Sequence, residues 1–262
     1  MSIMINHIDK LEYLTAENIL VPHCFTTRRG GVSTGHLAGL NIGSKRGDSP
    51  ENVERNFEIL CDALGTEREN LVLTRQTHSD IVRVVTRTDA TGVDHSVNPE
   101  CDALITDDPG TGLVIFTADC TPILLWDPVT GAVGAAHAGW RGTATKIAAK
   151  TARAMRDNFG CNPENICAAI GPNIGVCCFE TDGDVPEAMR EAFGPEAEAF
   201  IRSDGEKYHV DLKGLNALAL REAGVQKIEI STECTMCEHE RFWSHRYTKG
   251  IRGSQGALIV CR

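Results

Sequence analysis

Residues 101–142 read CDALITDDPG TGLVIFTADC TPILLWDPVT GAVGAAHAGW RG, and this stretch decides the fold. Its runs of aliphatic and β-branched residues predict four strands, at 103–106, 113–117, 123–126 and 132–136. The segments between these strands are too short to hold the helix that a parallel crossover usually contains. The stretch therefore predicts mixed β-sheets and not a doubly wound parallel sheet.

Further strands are predicted on both sides of this stretch, and the predicted helices are fewer. The strands fall at 71–74, 81–86, 166–170, 225–230 and 257–260. Helices are predicted at 50–64, between a Ser49 cap and Gly65, at 143–159, and from Asp211 to Gly224. The pattern indicates an α/β (α+β) protein, in which helices pack outside mixed β-sheets.

Length, composition and charge narrow the class of protein. The 262 residues are 42% hydrophobic, which predicts one domain over 1–262 with a sizeable core and excludes disordered and fibrous proteins. The formal net charge of -10 disfavours nonspecific binding to nucleic acid or to an anionic membrane. No run approaches the roughly 20 apolar residues of a membrane helix, and the opening MSIMINHIDK does not resemble a leader. We expect a cytoplasmic monomer or homodimer whose partners are small molecules.

The 11 cysteines are not expected to form a disulfide framework, because their number is odd, the chain is long and no secretion signal precedes them. Cys234 and Cys237 are followed by His239 and His245, which suggests a second zinc site. The C-x2-C-x-H-x5-H spacing fits no usual zinc finger, so buried thiols are the commoner explanation. Cys177 and Cys178 are adjacent. Alternation along a strand would point one inward and one outward, which predicts a packing role.

Three segments place a strong metal ligand at the end of a predicted strand: QTHS with His78, ADCT with Cys120 and HAGWRG with His137. The ligands are 42 and 17 residues apart, unlike those of a zinc finger, so only the fold could assemble a shared site. Two imidazoles and a thiolate suit zinc and leave a fourth position open for catalysis. From spacing alone, three separate buried polar residues with hydrogen-bond partners are the commoner arrangement.

Two loops have the composition of anion-binding sites. Residues 139–142 predict a tight strand-to-helix turn that aims backbone N–H groups and Arg141 at one point, which suits phosphate. The alternative is an ordinary glycine-permitted turn with Arg141 in solvent. Residues 26–33, which include Arg28, precede Asn41 and form either a second polar ligand site or a polar loop.

Nine short motifs match one known family and together cover about residues 26–260. They are TRRGGVS (27–33), QTH (76–78), DALIT (102–106), ADCTP (118–122), HAGWRG (137–142), GPNIG (171–175), CCFE (177–180), CTMC (234–237) and FWSHR (242–246). By these motifs the chain resembles the YfiH/laccase-domain family, also called the polyphenol oxidase or multicopper oxidase type 4 family. The departures are Thr77, where the family usually has a small aliphatic residue, Met236, where it commonly has an aromatic one, and a loose match at 252–256.

The resemblance implies a sandwich of mixed β-sheets with helices on its outer faces, and a mononuclear zinc held by His78, Cys120 and His137. It also implies phosphorolysis of adenosine, inosine, guanosine and methylthioadenosine to base and ribose 1-phosphate, together with hydrolytic deamination of adenosine to inosine. Purine nucleosides and phosphate are then the expected partners.

Further residues receive roles as hypotheses within this mechanism. Arg141 is the first candidate for positioning phosphate, and Arg28 and Arg246 are weaker candidates for the same anion. Asn41 is a candidate for binding ribose or base. Asp119, next to Cys120, is either a proton shuttle or a partner that orients a ligand.

Other functions use the same residues. A cysteine hydrolase or amidase would use Cys120 as nucleophile, with His78 or His137 as base. A binding module would use the metal only structurally. A multicopper oxidase is disfavoured, because none of the nine histidines has another two positions away. Copper(II) competes well with zinc at such sites, so copper uptake by metal exchange could give weak laccase-like polyphenol oxidase activity.

Overall fold

The computed structural model describes residues 3–92 and 95–262, and these ranges contain fifteen strands and six α-helices. The strands are β1 (Ile3–Ile8), β2 (Leu11–Ala16), β3 (His23–Thr26), β4 (Leu71–Leu73), β5 (Val82–Val84), β6 (Ala103–Thr106), β7 (Gly112–Thr117), β8 (Thr121–Trp126), β9 (Val133–Ala138), β10 (Cys167–Ile170), β11 (Glu180–Thr181), β12 (Ile201–Asp204), β13 (Lys207–Val210), β14 (Lys227–Ile230) and β15 (Gln255–Val260). The helices are α1 (Pro50–Leu64), α2 (Trp140–Ala144), α3 (Ile147–Phe159), α4 (Asp184–Phe193), α5 (Leu212–Glu222) and α6 (His245–Thr248).

The strands form two large sheets and one small one. The first sheet has the order β1-β2-β3-β15-β7-β4, the second β14-β10-β8-β9-β6-β5, and the third β11-β13-β12. The pairs β4–β7, β5–β6 and β10–β14 are parallel, whereas the central pairs β7–β15, β8–β9 and β6–β9 are antiparallel. The predicted mixed sheets are therefore confirmed.

Alternation along the central strands divides their side chains between two faces. In β7, Leu113 and Ile115 enter the core between the large sheets, whereas Val114 faces the opposite side. In β8, Leu124 points into the same central core, and Ile123 and Leu125 point away from it. The two large sheets thus pack face to face through a shared apolar layer.

Helices cover the outer faces of both large sheets. Phe57 and Leu60 of α1 pack with Leu258 on the first sheet. Met155 of α3 and Leu220 of α5 pack on the second sheet, among the outward side chains of its strands. This arrangement confirms the predicted sandwich with helices outside. Within the described ranges, no helix combines the length and the apolar character that crossing a bilayer requires.

The helix boundaries follow the predicted caps at two of three helices. The Ser49 side chain accepts a hydrogen bond from the Asn52 N–H, and the Asp211 side chain accepts one from the Gly214 N–H. The single helix predicted over 143–159 is instead α2 and α3. Lys146 separates them with a φ of 56°, in the left-handed region that stops an α-helix, and side-chain periodicity carries no signal for one such residue.

Several elements were not predicted from the sequence. Four of the six side chains of β1 are exposed, so this strand lacks an apolar alternation. Helix α4 begins after Gly183, which has no side chain that could cap it. The third sheet consists of strands of two to four residues, which are too short for a periodic pattern.

Candidate active site

Two of the three predicted ligands lie where the chain passes from one large sheet to the other. His78 follows β4 of the first sheet and precedes β5 of the second, and Cys120 lies between β7 of the first sheet and β8 of the second. His137 is the second-last residue of β9, opposite Pro122 of β8. The two crossovers therefore bring the three side chains to one end of the sandwich.

The three side chains meet closely. The Cys120 Sγ lies 3.7 Å from the His78 Nε2, and the ligand atoms of His78, Cys120 and His137 all lie within 4.8 Å of one another. The two imidazole rings are 5.0 Å apart and nearly perpendicular. His137 is buried whereas His78 is exposed, so the group is anchored in the core and open on one side.

Gln76 fixes the crossover that carries His78. Its Oε1 accepts hydrogen bonds from the Phe116 N–H at 2.6 Å and from the Thr74 hydroxyl at 2.8 Å. Its Nε2 donates to the Phe116 carbonyl oxygen at 2.8 Å. The side chain thus pairs with β7 as a strand backbone would, and it holds the His78 loop against the strand that leads to Cys120.

Asp102 connects two of the predicted ligands. One carboxylate oxygen accepts from the His137 Nδ1 at 2.8 Å and from the His78 backbone N–H at 3.1 Å. The other accepts from the N–H groups of Thr77 and Ser79, at 3.1 and 2.7 Å, and from the Ser79 hydroxyl at 2.7 Å. A buried carboxylate with five donors is fully paired, so it fixes both the ring of His137 and the backbone of the His78 loop.

Sequence reasoning missed this role of Asp102, although the residue opens the DALIT motif. The signal was its position directly before β6, which pairs antiparallel with the strand of His137 and sets Ala103 opposite Ala136. That register places Asp102 beside His137. The backbone N–H of His137 donates to the backbone carbonyl oxygen of Asp102 at 2.8 Å. An acidic residue directly before a strand that pairs with the strand of a predicted metal ligand could therefore have been predicted to contact that ligand.

The electrostatics of the group favour a thiolate. Burial opposes ionisation of Cys120, but the charge of His137 and hydrogen bonds from both imidazoles outweigh it and lower the pKa of the thiol to about 6. Burial likewise disfavours charge on His137, whereas the Cys120 thiolate and Asp102 raise the pKa of the imidazole to about 9. Burial would also raise the pKa of Asp102, but His137 and the loop donors lower it to about 2.

These residues fit a zinc ion. Two imidazoles and one thiolate form a donor set of the catalytic zinc type. Asp102 occupies the His137 Nδ1 and leaves its Nε2 for a metal, which is the usual carboxylate–histidine arrangement behind a zinc ligand. Metal binding needs a thiolate at Cys120 and a neutral imidazole at His137, so the proton that this pair holds leaves when an ion binds.

The backbone around the group is restricted in three places, by its conformation at two of them and by lack of space at the third. His78 and Asp119 have φ angles of 60° and 85°, in the left-handed region that side chains with a Cβ rarely adopt. Gly139 has an ordinary φ of -70°, but a Cβ there would lie 2.7 Å from the His78 Cδ2 and 3.4 Å from the Cys120 Sγ. Glycine at 139 is thus required by the closeness of the ligands and not by its backbone angles.

Asp119 holds neighbouring loops together. One of its oxygens accepts from the Thr235 hydroxyl at 2.6 Å, and the other accepts from the Arg246 backbone N–H at 2.7 Å. The Asp119 carbonyl oxygen accepts from the Ile174 N–H at 2.9 Å. These contacts hold three loops together next to Cys120, and the role of Asp119 as a proton shuttle or as a partner that orients a ligand stays a prediction.

Two cavities of about 280 and 420 Å³ adjoin the three side chains. Both are lined by Arg46, His78, Ala118, Cys120 and Arg252. The larger one also reaches Phe179 and Arg246, and the smaller one reaches His137. Together they have the size of a small-molecule site, with two of the three predicted ligands, His78 and Cys120, at the wall they share.

The shared wall is positively charged. Burial lowers the pKa of the Arg252 guanidinium to about 10, and the charge of Arg46 acts in the same direction. Arg252 donates to Gly253 and Ser254, while its buried Nε has no hydrogen-bond partner in the described structure. Burial lowers the pKa of His245 as well, and Arg252, Arg46 and Arg246 add to this effect. Arg46 and Arg252 were not among the predicted site residues.

The other predicted ligand-binding residues lie at different distances from these cavities. Arg246 lines the larger one and donates to the Glu180 carbonyl oxygen at 2.9 Å. Arg141 is exposed, stacks on the ring of Trp140 and lines neither cavity. Arg28 stacks on Trp243 at 3.9 Å, and the amide of buried Asn41 is bound to Asp48, Gly43 and Ser254. The structure thus joins Arg246 to the group and leaves Arg28, Asn41 and Arg141 outside it.

Comparisons with known proteins agree with the motifs. Residues 22–262 match the family model described as multi-copper polyphenol oxidoreductase laccase. The chain is 40% identical to the purine nucleoside phosphorylase of Deinococcus radiodurans, over 95% of this chain and 92% of that protein. It is 35% identical to adenosine deaminase RL5 of an unknown prokaryotic organism, over 91% and 93% of the two chains. The crystal structure of YlmD from Geobacillus stearothermophilus superposes with a TM-score of 0.92, at 35% identity over 98% of both chains.

Substitution of Gly139 tests the steric argument. We expect Gly139→Ala to weaken zinc binding by about 10- to 100-fold, the range for changes just outside a ligand set, because the new methyl group displaces His78. Competition with a chromophoric chelator measures the affinity. Gly142→Ala is the matched control, since its Cβ would meet only ordinary contacts, the nearest at 3.4 Å. Equal affinities for the two variants would contradict the argument.

Substitution of Asp102 tests its place in the fold. In Asp102→Asn an NH₂ group replaces one of the two acceptor oxygens, so it faces donors of residues 77–79 or of His137, and those donors lose their acceptor. We expect the free energy of unfolding to fall by about 3–5 kcal/mol, as for a broken buried pair. Urea denaturation in the presence of a chelator measures this loss without a metal contribution. Asp107→Asn, on the exposed side after the same strand, is expected to stay within about 0.5 kcal/mol. A loss no larger than that of the control would refute the role.

Proposed function

Because the chain belongs to the family that the multi-copper polyphenol oxidoreductase laccase model describes, we propose that it shares the purine nucleoside chemistry for which its relatives are named. The proposed reactions are phosphorolysis of purine nucleosides to base and ribose 1-phosphate, and hydrolytic deamination of adenosine to inosine. One observation carries the proposal: His78 and Cys120 of a zinc-type donor set line both cavities together with half-buried Arg252 and exposed Arg46.

His78, Cys120 and His137 are the proposed metal ligands. A zinc ion held there supplies, when bound, a Lewis acid beside the cavities. Asp102 keeps His137 in one tautomer and in one orientation through the bond to Nδ1. Two of the donor atoms come from the crossovers and the third from β9, and both cavities reach His78 and Cys120, where a substrate would contact them.

Phosphate is the proposed anionic substrate at Arg252 and Arg46. In phosphorolysis a phosphate oxygen bonds to the ribose C1′ while the bond from C1′ to the purine nitrogen breaks, and the base leaves with that electron pair. Guanidinium groups bind phosphate through charge-assisted hydrogen bonds, and the buried Arg252 Nε is a donor that lacks a protein acceptor. Bringing an anion between two arginines of like charge also relieves their mutual repulsion.

The larger cavity is the proposed place for the nucleoside. Ile174 and Phe179 give it an apolar wall on which a purine ring can pack. Arg246 and His245 supply polar groups next to this wall. In deamination, water adds to the purine C6 and ammonia leaves, which requires the base and not the ribose to lie closest to the three ligands.

A cysteine hydrolase is the second candidate function, and a specific geometry favours it. Cys120, His137 and Asp102 are linked in the order of a nucleophile, a base and an orienting carboxylate. The depressed pKa of Cys120 also suits a nucleophile. A metal bound by Cys120 would occupy the sulfur that this chemistry needs, so the two functions exclude each other.

Multicopper oxidation has less support from the residues. In the described part of the chain, the groups of three or more possible ligands are His78 with Cys120 and His137, and a set of four cysteines. A trinuclear copper cluster would need several more histidines. Copper that replaces zinc at the three-residue group is the proposed source of any weak oxidase activity.

The first experiment measures metal content and nucleoside turnover on the same protein preparations. We expect protein purified without added metal to carry zinc and to release base from adenosine and inosine only when phosphate is present. We expect Cys120→Ala to lose the zinc of this group and at least about 1,000-fold in turnover, since removing an essential metal ligand disables the site. Mass spectrometry of the metal and chromatography of the products measure both.

Chelation and alkylation separate the alternatives. A zinc enzyme loses turnover to a chelator and regains it with zinc, and its bound sulfur resists alkylation. Turnover that survives chelation but not iodoacetamide would support the cysteine hydrolase instead. Stable protein that binds zinc but converts no nucleoside, and that melts at a much lower temperature after chelation, would indicate a binding module.

Two arginine variants test the phosphate site. We expect Arg252→Ala to raise the KM for phosphate by about 10- to 100-fold, because a charge-assisted hydrogen bond is lost. The KM for inosine is expected to change much less. Arg141→Ala, which removes the arginine that the sequence suggested, is expected to resemble the unaltered protein, because Arg141 is exposed outside the cavities. The reverse pattern would assign phosphate to Arg141.

A further inference from the structure

Four cysteines from two distant parts of the chain form a second group of sulfur atoms. Cys177 and Cys178 lie between β10 and β11, and Cys234 and Cys237 lie between β14 and α6. All four sulfurs lie within 4.8 Å of one another, and the Cys237 Sγ is 3.6 Å from that of Cys177 and 3.4 Å from that of Cys178. None of the four belongs to the group around Cys120.

The backbone brings the two cysteine loops together before any ion is considered. Asn173 and Cys234 form a parallel β-bridge, and the Thr235 N–H donates to the Asn173 carbonyl oxygen at 2.9 Å. The Gly175 N–H donates to the Cys234 Sγ at 3.2 Å. A Cβ on Gly175 would lie 3.1 Å from the Cys234 Cβ and 3.2 Å from the Cys177 Sγ, so a larger residue would press the sulfurs apart.

The adjacent pair does not alternate as a strand would. The prediction that one of Cys177 and Cys178 points inward and the other outward fails, because the two residues lie in a turn. The N–H groups of Cys178 and Phe179 both donate to the Gly175 carbonyl oxygen at 2.9 Å. This turn directs both sulfurs toward Cys237, which the sequence pattern could not indicate.

The sulfur spacing matches a tetrahedral metal site. A zinc–sulfur bond of about 2.3 Å in tetrahedral geometry separates the sulfurs by about 3.8 Å. A disulfide needs sulfurs about 2.05 Å apart and pairs only two of them. Four sulfurs within 4.8 Å therefore have the arrangement of metal ligands and not that of two disulfides.

Two neighbouring groups offset the negative charge that four thiolates would bring to such a site. Four thiolates around zinc carry more negative than positive charge, and the Gly175 N–H already offsets part of it at Cys234. The ammonium group of buried Lys213, whose charge acts on Cys234 and Cys177, donates to the carbonyl oxygens of Ser231 and Glu233 at 2.7 Å each. A fixed cation thus lies beside the cluster.

We propose that Cys177, Cys178, Cys234 and Cys237 bind one zinc ion as a closed structural site. Each protonated thiol releases its proton to solvent as its sulfur binds the ion. Four protein ligands leave no open position, so the ion holds structure and does not act on substrate. His239 and His245 stay outside: the ring of His239 stacks on Tyr247 at 3.5 Å, and His245 lines the larger cavity.

The four-cysteine site holds one wall of the larger active-site cavity in position. Phe179, which lines that cavity, directly follows Cys178. Thr235, between the other two cysteines, donates to Asp119, which precedes Cys120. An ion at the four cysteines therefore fixes both loops relative to the candidate active site without contacting it.

The test uses Cys120→Ala, which removes a ligand of the other group. After purification under reducing conditions without added metal, this variant is expected to retain about one zinc per chain. When Cys177→Ser and Cys237→Ser are combined with Cys120→Ala, the triple variant is expected to contain no zinc. Both of these sulfurs are exposed, so their replacement leaves the core intact. Adding Cys167→Ser, at a thiol outside both groups, is the matched control and is expected to retain the zinc.

Cobalt(II) provides a readout independent of activity and of zinc carried through purification. After removal of zinc, cobalt added to Cys120→Ala is expected to give the intense absorption of cobalt bound by thiolates, with an end point of about one ion per chain. The variant with both serines is expected to lose this absorption and to keep its circular dichroism spectrum.

Three results would overturn the proposal. The first is Cys120→Ala protein with neither zinc nor the cobalt absorption. The second is undiminished zinc and cobalt in the variant with both serines. The third is a metal-free protein whose mass is lower by two hydrogens for each disulfide among these cysteines. None of these results depends on nucleoside turnover, so the proposed function and this site can fail separately.

Discussion

The candidate active site depends on the carboxylate of Asp102. Because it accepts hydrogen bonds from His137 in one sheet and from the loop that enters that sheet from the other, it joins two parts of the sandwich at one buried point. Strand pairing alone would leave the His78 loop without a fixed position. The close approach at Gly139 and the left-handed backbone at His78 are possible because this carboxylate holds the loop in place.

Much of the fold could be predicted because the central strands are buried and regular. The runs in residues 101–142 gave the mixed sheets, and Ser49 and Asp211 gave the starts of α1 and α5. The break at Lys146 and the exposed strand β1 could not be predicted, since one left-handed residue and a strand without an apolar face leave no periodic signal. His78, Cys120 and His137 were found because they belong to motifs. Arg46 and Arg252 were missed because charged loop residues far apart in sequence have no pattern before the fold brings them together.

Charge is distributed unevenly over this protein. The chain has an excess of ten acidic residues, yet Arg46, Arg246 and Arg252 converge beside Cys120. The half-buried guanidinium group of Arg252 keeps its charge while it loses water, so it attracts an anion more strongly than the same group on the surface would. The net charge of -10 disfavours the approach of larger polyanions, which favours a small anion at this place.

The positions of the ligands have a consequence for the order of folding. His78, Cys120 and His137 meet only after both large sheets have formed and packed, since two of them lie on the connections between the sheets. Contacts between residues so far apart in sequence form late, after the loop-closure entropy of the intervening chain has been overcome. In a zinc finger the ion nucleates the domain. Here the three side chains come together only in the packed sandwich, so the polypeptide has to reach its native topology before they can bind one ion together.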